Sequence, residues 1–148
     1  MATTFKKPLT GSDLILKEMS PFMAYTRGEE TVVTLTAATS LTLGAPVFRA
    51  KGVAGAKWAP VTAAAALVDT NEIAFYLADV RGVFLPIEAG NAGDHKVALI
   101  QMGNIILKDK AIKDALKLNF AAFVDADFAK VKEMALQKHI VIEKVLGA

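Results

Sequence analysis

Asp94 and His95 stand side by side in Gly90-Asn91-Ala92-Gly93-Asp94-His95, where an acid and a histidine meet inside a glycine-rich turn. Such a pair supports nucleophilic catalysis only with a nucleophile within reach of the imidazole. The three serines, Ser12, Ser20 and Ser40, do not sit in a strand–turn–helix elbow. A plain hairpin turn explains the segment better. His139, between a helical stretch and an extended one, reads as a residue near a helix C-terminus, where the dipole favours it. Gly52-Val53-Ala54-Gly55 lacks the Lys-Ser/Thr ending of a phosphate loop.

The carboxylates and lysines give no stronger signal. Glu29-Glu30 precedes a β-branched run, so one of the two is expected in solvent. Asp125 and Asp127 open a helical stretch, and capping explains both, with Asp125 as the N-cap. Lys108, Lys110, Lys113 and Lys117 are spaced like one helix face, but Asp109 and Asp114 dilute the charge and no aromatics interleave, so the face reads as solvated. With no cysteine and two histidines, thiol catalysis, disulfides, iron–sulfur clusters and Cys-ligated zinc are excluded, and a multi-His metal site is not expected. The reading is a protein that is not an enzyme and needs neither cofactor nor metal. Trp58, beside Pro60 in an extended segment, is expected to anchor the core or an interface.

The elements that must hold these residues come from a chain of 148 residues, the size of one domain. Seventeen basic against fifteen acidic side chains leave a net charge of +2. That supports no strong field for nucleic acid or an anionic membrane. Hydrophobic residues make up 53% of the chain, 26 residues being alanine, and the mean hydropathy is +0.39. A chain this apolar has trouble covering itself. No apolar run exceeds the length of Ala63–Val68, far short of the ~20 residues of a membrane span, and no signal peptide is expected at Met1–Thr10. The excess apolar surface points to self-association or docking on a large partner.

Residues 1–26 differ from the rest. Pro8, Gly11 and Pro21 break any long helix. Frayed termini are usually polar, yet this segment carries Phe5, Leu14, Ile15, Leu16, Phe22 and Tyr25. The expectation is an arm over 1–26 that docks on a partner, with those six residues as anchors and Leu14–Leu16 as a strand that extends the partner's sheet. Residues 27–148 form the domain proper. Thr31–Leu35, Val47-Phe48, Lys57–Val61, Ile73–Leu77, Gly82–Ile87 and His95–Leu107 read as extended segments, with Gly103 a bend in the last. Pro46 is expected to confine its strand to an edge. After Leu107 the period becomes helical: Ile112, Ala115 and Leu116 form one stripe, and Phe128, Val131, Met134 and Ala135 another. His139–Val145 alternates as a last strand. The fold class is mainly β within α+β, a small barrel-like domain with two short C-terminal helices and an extended N-terminal arm.

The order of these segments resembles the lambda-type bacteriophage head decoration protein family. The resemblance lies in Arg27-Gly-Glu-Glu-Thr-Val-Val-Thr-Leu, Leu43-Gly44-Ala45-Pro46-Val47-Phe48, Lys57-Trp58-Ala59-Pro60-Val61, Ile73–Val80, Gly93–Ile100 followed by Gly103, and Met134–Ile142. It covers roughly Arg27 to Val145; Phe75 and His139 stand where the family usually has glycine. The resemblance implies a β-clip-like domain that sits as a homotrimer on the outer surface of the mature capsid. There it cements neighbouring major capsid proteins against DNA pressure, and its N-terminal arm orders on the shell. It implies a virion location after synthesis in the host cytoplasm, with no direct nucleic-acid or membrane partner. Another phage structural subunit, a tail or fibre adaptor, shares the same composition and is the alternative.

Overall fold

The computed structural model describes residues 11–18, 25–79, 83–103 and 105–144, of which 11–12, 17–18 and 25–30 are described by backbone alone. Among these residues the protein is mainly β, with eight strands in two sheets and two helices near the C-terminus. Five strands form the larger sheet: β2 (Tyr25–Leu35), β6 (Gly93–Ile100), β5 (Asn71–Asp79), β3 (Pro46–Ala50) and β4 (Ala59–Pro60), in that spatial order. Its pairings are antiparallel. The sheet nearly closes on itself. Trp58, just before β4, bridges Val33 of β2 in parallel; its N–H donates to the Val32 carbonyl at 3.0 Å, and Thr34 N–H donates to its carbonyl at 2.8 Å.

Two cores follow from this closure. Along β5, Ala74 and Tyr76 join one cluster with Val33, Val47, Trp58, Val97 and Leu99. Ile73, Phe75 and Leu77 join a second with Ile100, Ile112, Phe128 and Val131. The strict alternation puts the first cluster inside the barrel and the second between the barrel and an outer layer. With both faces buried, the middle of β5 reads as a continuous apolar run.

The outer layer holds α2 (Asp109–Asn119), α3 (Asp125–Leu136) and a three-stranded sheet ordered β1 (Ile15–Glu18), β7 (Ile105–Lys108), β8 (Ile140–Glu143). The run His95–Leu107 therefore divides between two sheets. Gly103, at φ 116°, turns the chain from β6 to β7, and its N–H donates to the Lys138 carbonyl at 3.1 Å. β7 and β8 are parallel, which requires the crossover supplied by both helices. Pro46 is the first residue of β3 rather than part of an edge strand; a first position loses no ladder bond. Pro60 lies in the short β4. From Val83 to Pro86 the chain joins no ladder, and among the described residues its one strand-type pairing is the Leu41–Ile87 bridge that follows.

Residues 11–18 belong to this layer. After a single helical turn α1 (Gly11–Leu14), β1 pairs antiparallel with β7, with a bulge between Ile15 and Lys17. Leu14 is 0% exposed and sits in the outer core, with Ile15 packed against that core. Gly44, at φ 85°, makes room for it: a Cβ there would lie 3.1 Å from Leu14 Cδ1. The boundary expected at residue 26 is thus corrected, since Leu14, one of the expected arm anchors, is buried in the core of the domain. Helix α3 also begins one residue away from the expected cap. Its N-cap is Val124, Asp125 is its first residue, and the Asp127 carboxylate accepts the Val124 N–H at 3.0 Å. His139 takes the left-handed conformation, φ 61°, directly after the helix, and its N–H donates to the Leu136 carbonyl at 3.0 Å.

Candidate interaction surface

The six arm residues fall into three groups. Phe5 and Phe22 lie outside the described residues, and Tyr25 is described only as the first residue of β2. Leu14 and Ile15 face the core. Leu16, at the bulge of β1, is 46% exposed; a bulge re-aims its side chain away from the layer beneath. Ile105, Leu107, Ile140 and Ile142 of the small sheet are buried, so its outer side carries the exposed Leu16 and Val141 with Ile106, beside Lys108 and Glu143. Trp58 does not serve as a surface anchor. It is 1% exposed inside the barrel, with the Arg49 guanidinium 4.4 Å above its ring, so the core half of its expected role is the one observed.

A second exposed apolar group was read only as an extended stretch. Val83 and Phe84 are each 39% exposed and Leu85 52%. Their backbone is held on both sides. Asp79 N–H donates to the Val83 carbonyl at 3.0 Å, Leu85 N–H donates to Val83 at 2.9 Å, and the Asp79 carboxylate accepts the Val83 N–H at 3.0 Å. The Tyr76 hydroxyl donates to the Leu85 carbonyl at 2.7 Å. Burial pushes the Tyr76 phenol up to about 12, with the Asp79 carboxylate adding to the shift, so this donor stays protonated through the neutral range. The sequence signal was there: an apolar run without alternation that ends in Pro86 cannot be a half-buried ladder strand.

The polar clusters do structural work. Asp94 accepts from the Thr34 hydroxyl at 2.7 Å and pairs with Lys57; the Lys57 hydrogen bond, then that of Thr34, holds its carboxyl below the usual range. This ties β6 to both margins of the closure. His95 Nε2 contacts the Asn91 carbonyl at 2.7 Å, so imidazole and carboxylate serve different partners. Glu72 of β5 binds Arg49 and Lys138, the latter at 2.8 Å. Burial raises its pKa, but the hydrogen bonds from Lys138 and Arg49 outweigh that and leave it below the usual carboxylate range. The lysine face of α2 is largely paired along the helix, Lys110 with Asp114 and Lys113 with Asp109.

The concavities are open. One cleft of about 380 Å³ mixes Leu67, Val68 and Met134 with Asp69, Lys130 and Glu133. Another of about 430 Å³ lies beside the Gly52–Gly55 turn, with Arg49 and Glu72 bound to each other in its wall. Among the described residues no group of three His, Cys, Asp or Glu is placed to hold a metal ion, and no helix is long and apolar enough to cross a membrane. Comparison with protein-family models, with curated proteins and with solved structures finds no match to this chain. What the surface offers chemically is apolar area on fixed backbone, which suits adhesion.

Proposed function

We propose that this protein is a structural subunit of a phage virion that binds the outer surface of the mature capsid as a homotrimer and cements neighbouring major capsid proteins. The observation that carries the reading is the exposed apolar side chains held on hydrogen-bonded backbone, in the Val83–Leu85 segment and on the outer side of the small sheet. Fixed backbone lowers the ordering cost of association, so more of the buried area appears as affinity. A cementing subunit needs two such surfaces, one for its own copies and one for the shell. Several copies fixed together then bind at high effective concentration, and weak individual contacts add up to retention. The family resemblance of the segments Arg27–Leu35 through Met134–Ile142 supports the same reading. In this role no reaction is catalysed, and Leu16 faces the shell beside the edge of β1, which pairs with no further strand among the described residues and where strand addition would supply main-chain hydrogen bonds.

Co-sedimentation with undecorated mature heads tests it. The wild-type chain is expected to pellet with heads in a saturable way. Leu16→Asp is expected to melt like wild type and to bind at least about ten-fold more weakly, the loss of roughly 1.4 kcal/mol that burying one such side chain can supply. Failure of the wild-type chain to bind heads under any salt condition contradicts the reading.

A further inference from the structure

We infer that the cleft between Arg49 and the Gly52–Gly55 turn binds the phosphate group of a small molecule. The site goes beyond the adhesive role proposed above, and neither Leu16 nor Val83–Leu85 lines it. The cleft, of about 430 Å³, is walled by Arg49 of β3, Glu72 of β5 and the residues of the turn. The Arg49 guanidinium lies over the Trp58 ring, 4.4 Å from its centroid, and the Nε–H donates to Glu72. Its Nη groups have no acceptor among the described residues. Ring and carboxylate thus hold a planar fork whose outer donors remain for an oxyanion. The turn supplies further donors. Gly52 and Gly55 take the left-handed conformation, φ 69° and 71°. A Cβ at either would meet nothing within 4 Å, so glycine serves the backbone conformation here, not space. The N–H groups of Gly52, Val53, Ala54 and Gly55 donate to no acceptor among the described residues. Turns of this conformation are the kind in which successive N–H groups converge on an anion. The segment lacks the lysine and hydroxyl of a nucleotide phosphate loop; Arg49, from the preceding strand, supplies the cation.

Charge selects the ligand. Glu72 is shared between Arg49 and Lys138. Lys51, at the start of the turn, bonds the neutral Gln137 amide at 3.2 Å and has no carboxylate partner among the described residues. Three cations therefore stand against one carboxylate beside the cleft. The other charges on adjoining elements do not reverse this. Lys57 is paired with Asp94, and Asp69 and Glu133 share with Lys130 the separate cleft that Gln137 also lines. An excess of positive charge, a guanidinium fork and unspent N–H groups fit a tetrahedral dianion better than a single carboxylate. The whole chain carries only +2, so the field is local and suits one phosphate group rather than a polyanion.

Trp58 is the one tryptophan of the chain and is buried beneath Arg49, so its emission reports on the guanidinium without touching the ligand. Inorganic phosphate and glycerol 3-phosphate are titrated into the full chain at constant ionic strength, with chloride and acetate as controls, and read by emission and by calorimetry. Both phosphates are expected to saturate. Tighter binding of the ester assigns the site to an organic phosphate, and equal or weaker binding assigns it to the free ion; both results uphold the site. Arg49→Gln is expected to weaken binding at least about ten-fold, the loss of a charge-assisted hydrogen bond. Ala54→Glu, at an exposed position on the cleft wall, is expected to do the same with the Arg49–Trp58 stack in place. Glu72→Gln keeps an acceptor for the Arg49 Nε–H and removes the competing charge. It is expected to tighten phosphate binding several-fold while lowering stability, a pairing that a merely structural role does not produce. No saturable response to either phosphate, an equal response to chloride or acetate, or unchanged binding by Arg49→Gln and Ala54→Glu overturns the inference.

Discussion

Thr31 is fully buried on β2, and its hydroxyl has no hydrogen-bond partner among the described residues. A buried hydroxyl without a partner carries its desolvation cost uncompensated. Thr31→Val keeps the branched shape and removes that cost, and the expected outcome is a gain of about 1 kcal/mol in chemical denaturation. Glu72 presents the opposite case. Its carboxylate satisfies Arg49 of β3 and Lys138 of the turn between α3 and β8, so it joins the barrel to the outer layer. Glu72→Gln leaves two half-buried cations short of a counter-charge and is expected to cost about 1–2 kcal/mol at neutral pH. Because the folded-state pKa is depressed, the stabilisation is fully present above the ordinary glutamate value of 4.5 and is lost as pH falls through the folded value. The difference between wild type and Glu72→Gln in denaturation should therefore shrink below pH 4.5. A difference that stays constant down to the acid transition would remove the ion pairs from the account.

The β1 strand shows where local pattern and tertiary packing part company. Its four residues follow a single helical turn, too short a segment to announce itself by periodicity. The breakers Pro8 and Pro21 made the region look like a detached arm. What fixes it is distant: β7 supplies the ladder and Gly44 the space for Leu14. By contrast β5, α2 and α3 were legible, because a buried apolar run and the i, i+3, i+4 stripes of Ile112, Ala115, Leu116 and Phe128, Val131, Met134, Ala135 state their own environment. The bend at Gly103 was legible as a bend, though not as a change of sheet, since nothing local says which edge a strand will meet. Of the candidate surface, Leu16 is legible from sequence as an anchor, while Val83–Leu85 reads there only as part of the extended stretch Gly82–Ile87, because its exposure depends on Tyr76 and Asp79 holding it out. Leu14→Ala is expected to cost about 2–4 kcal/mol, as for other large-to-small changes in a packed core. Deleting residues 1–26 removes α1 and β1 and is expected to cost at least as much. A truncated chain that melts with the full-length midpoint would return this segment to the status of an independent arm.

At the scale of the molecule, a nearly closed barrel with a second layer buries most of the large apolar side chains among the described residues of a chain with mean hydropathy +0.39. The exposed remainder includes Val83–Leu85, Leu118 and Val124, Leu16 and Val141 of the small sheet, and scattered Val53, Val68, Met102 and Leu136. In the proposed function, exposed apolar groups of this kind are what would meet a shell or a neighbouring copy. The quantity that tests this most directly is copy number on the purified particle, measured by quantitative mass spectrometry against the major capsid protein. A cementing role requires a ratio approaching one copy per capsid subunit. A count of about a dozen per particle, the order of a single symmetric ring, or absence from the particle, contradicts it.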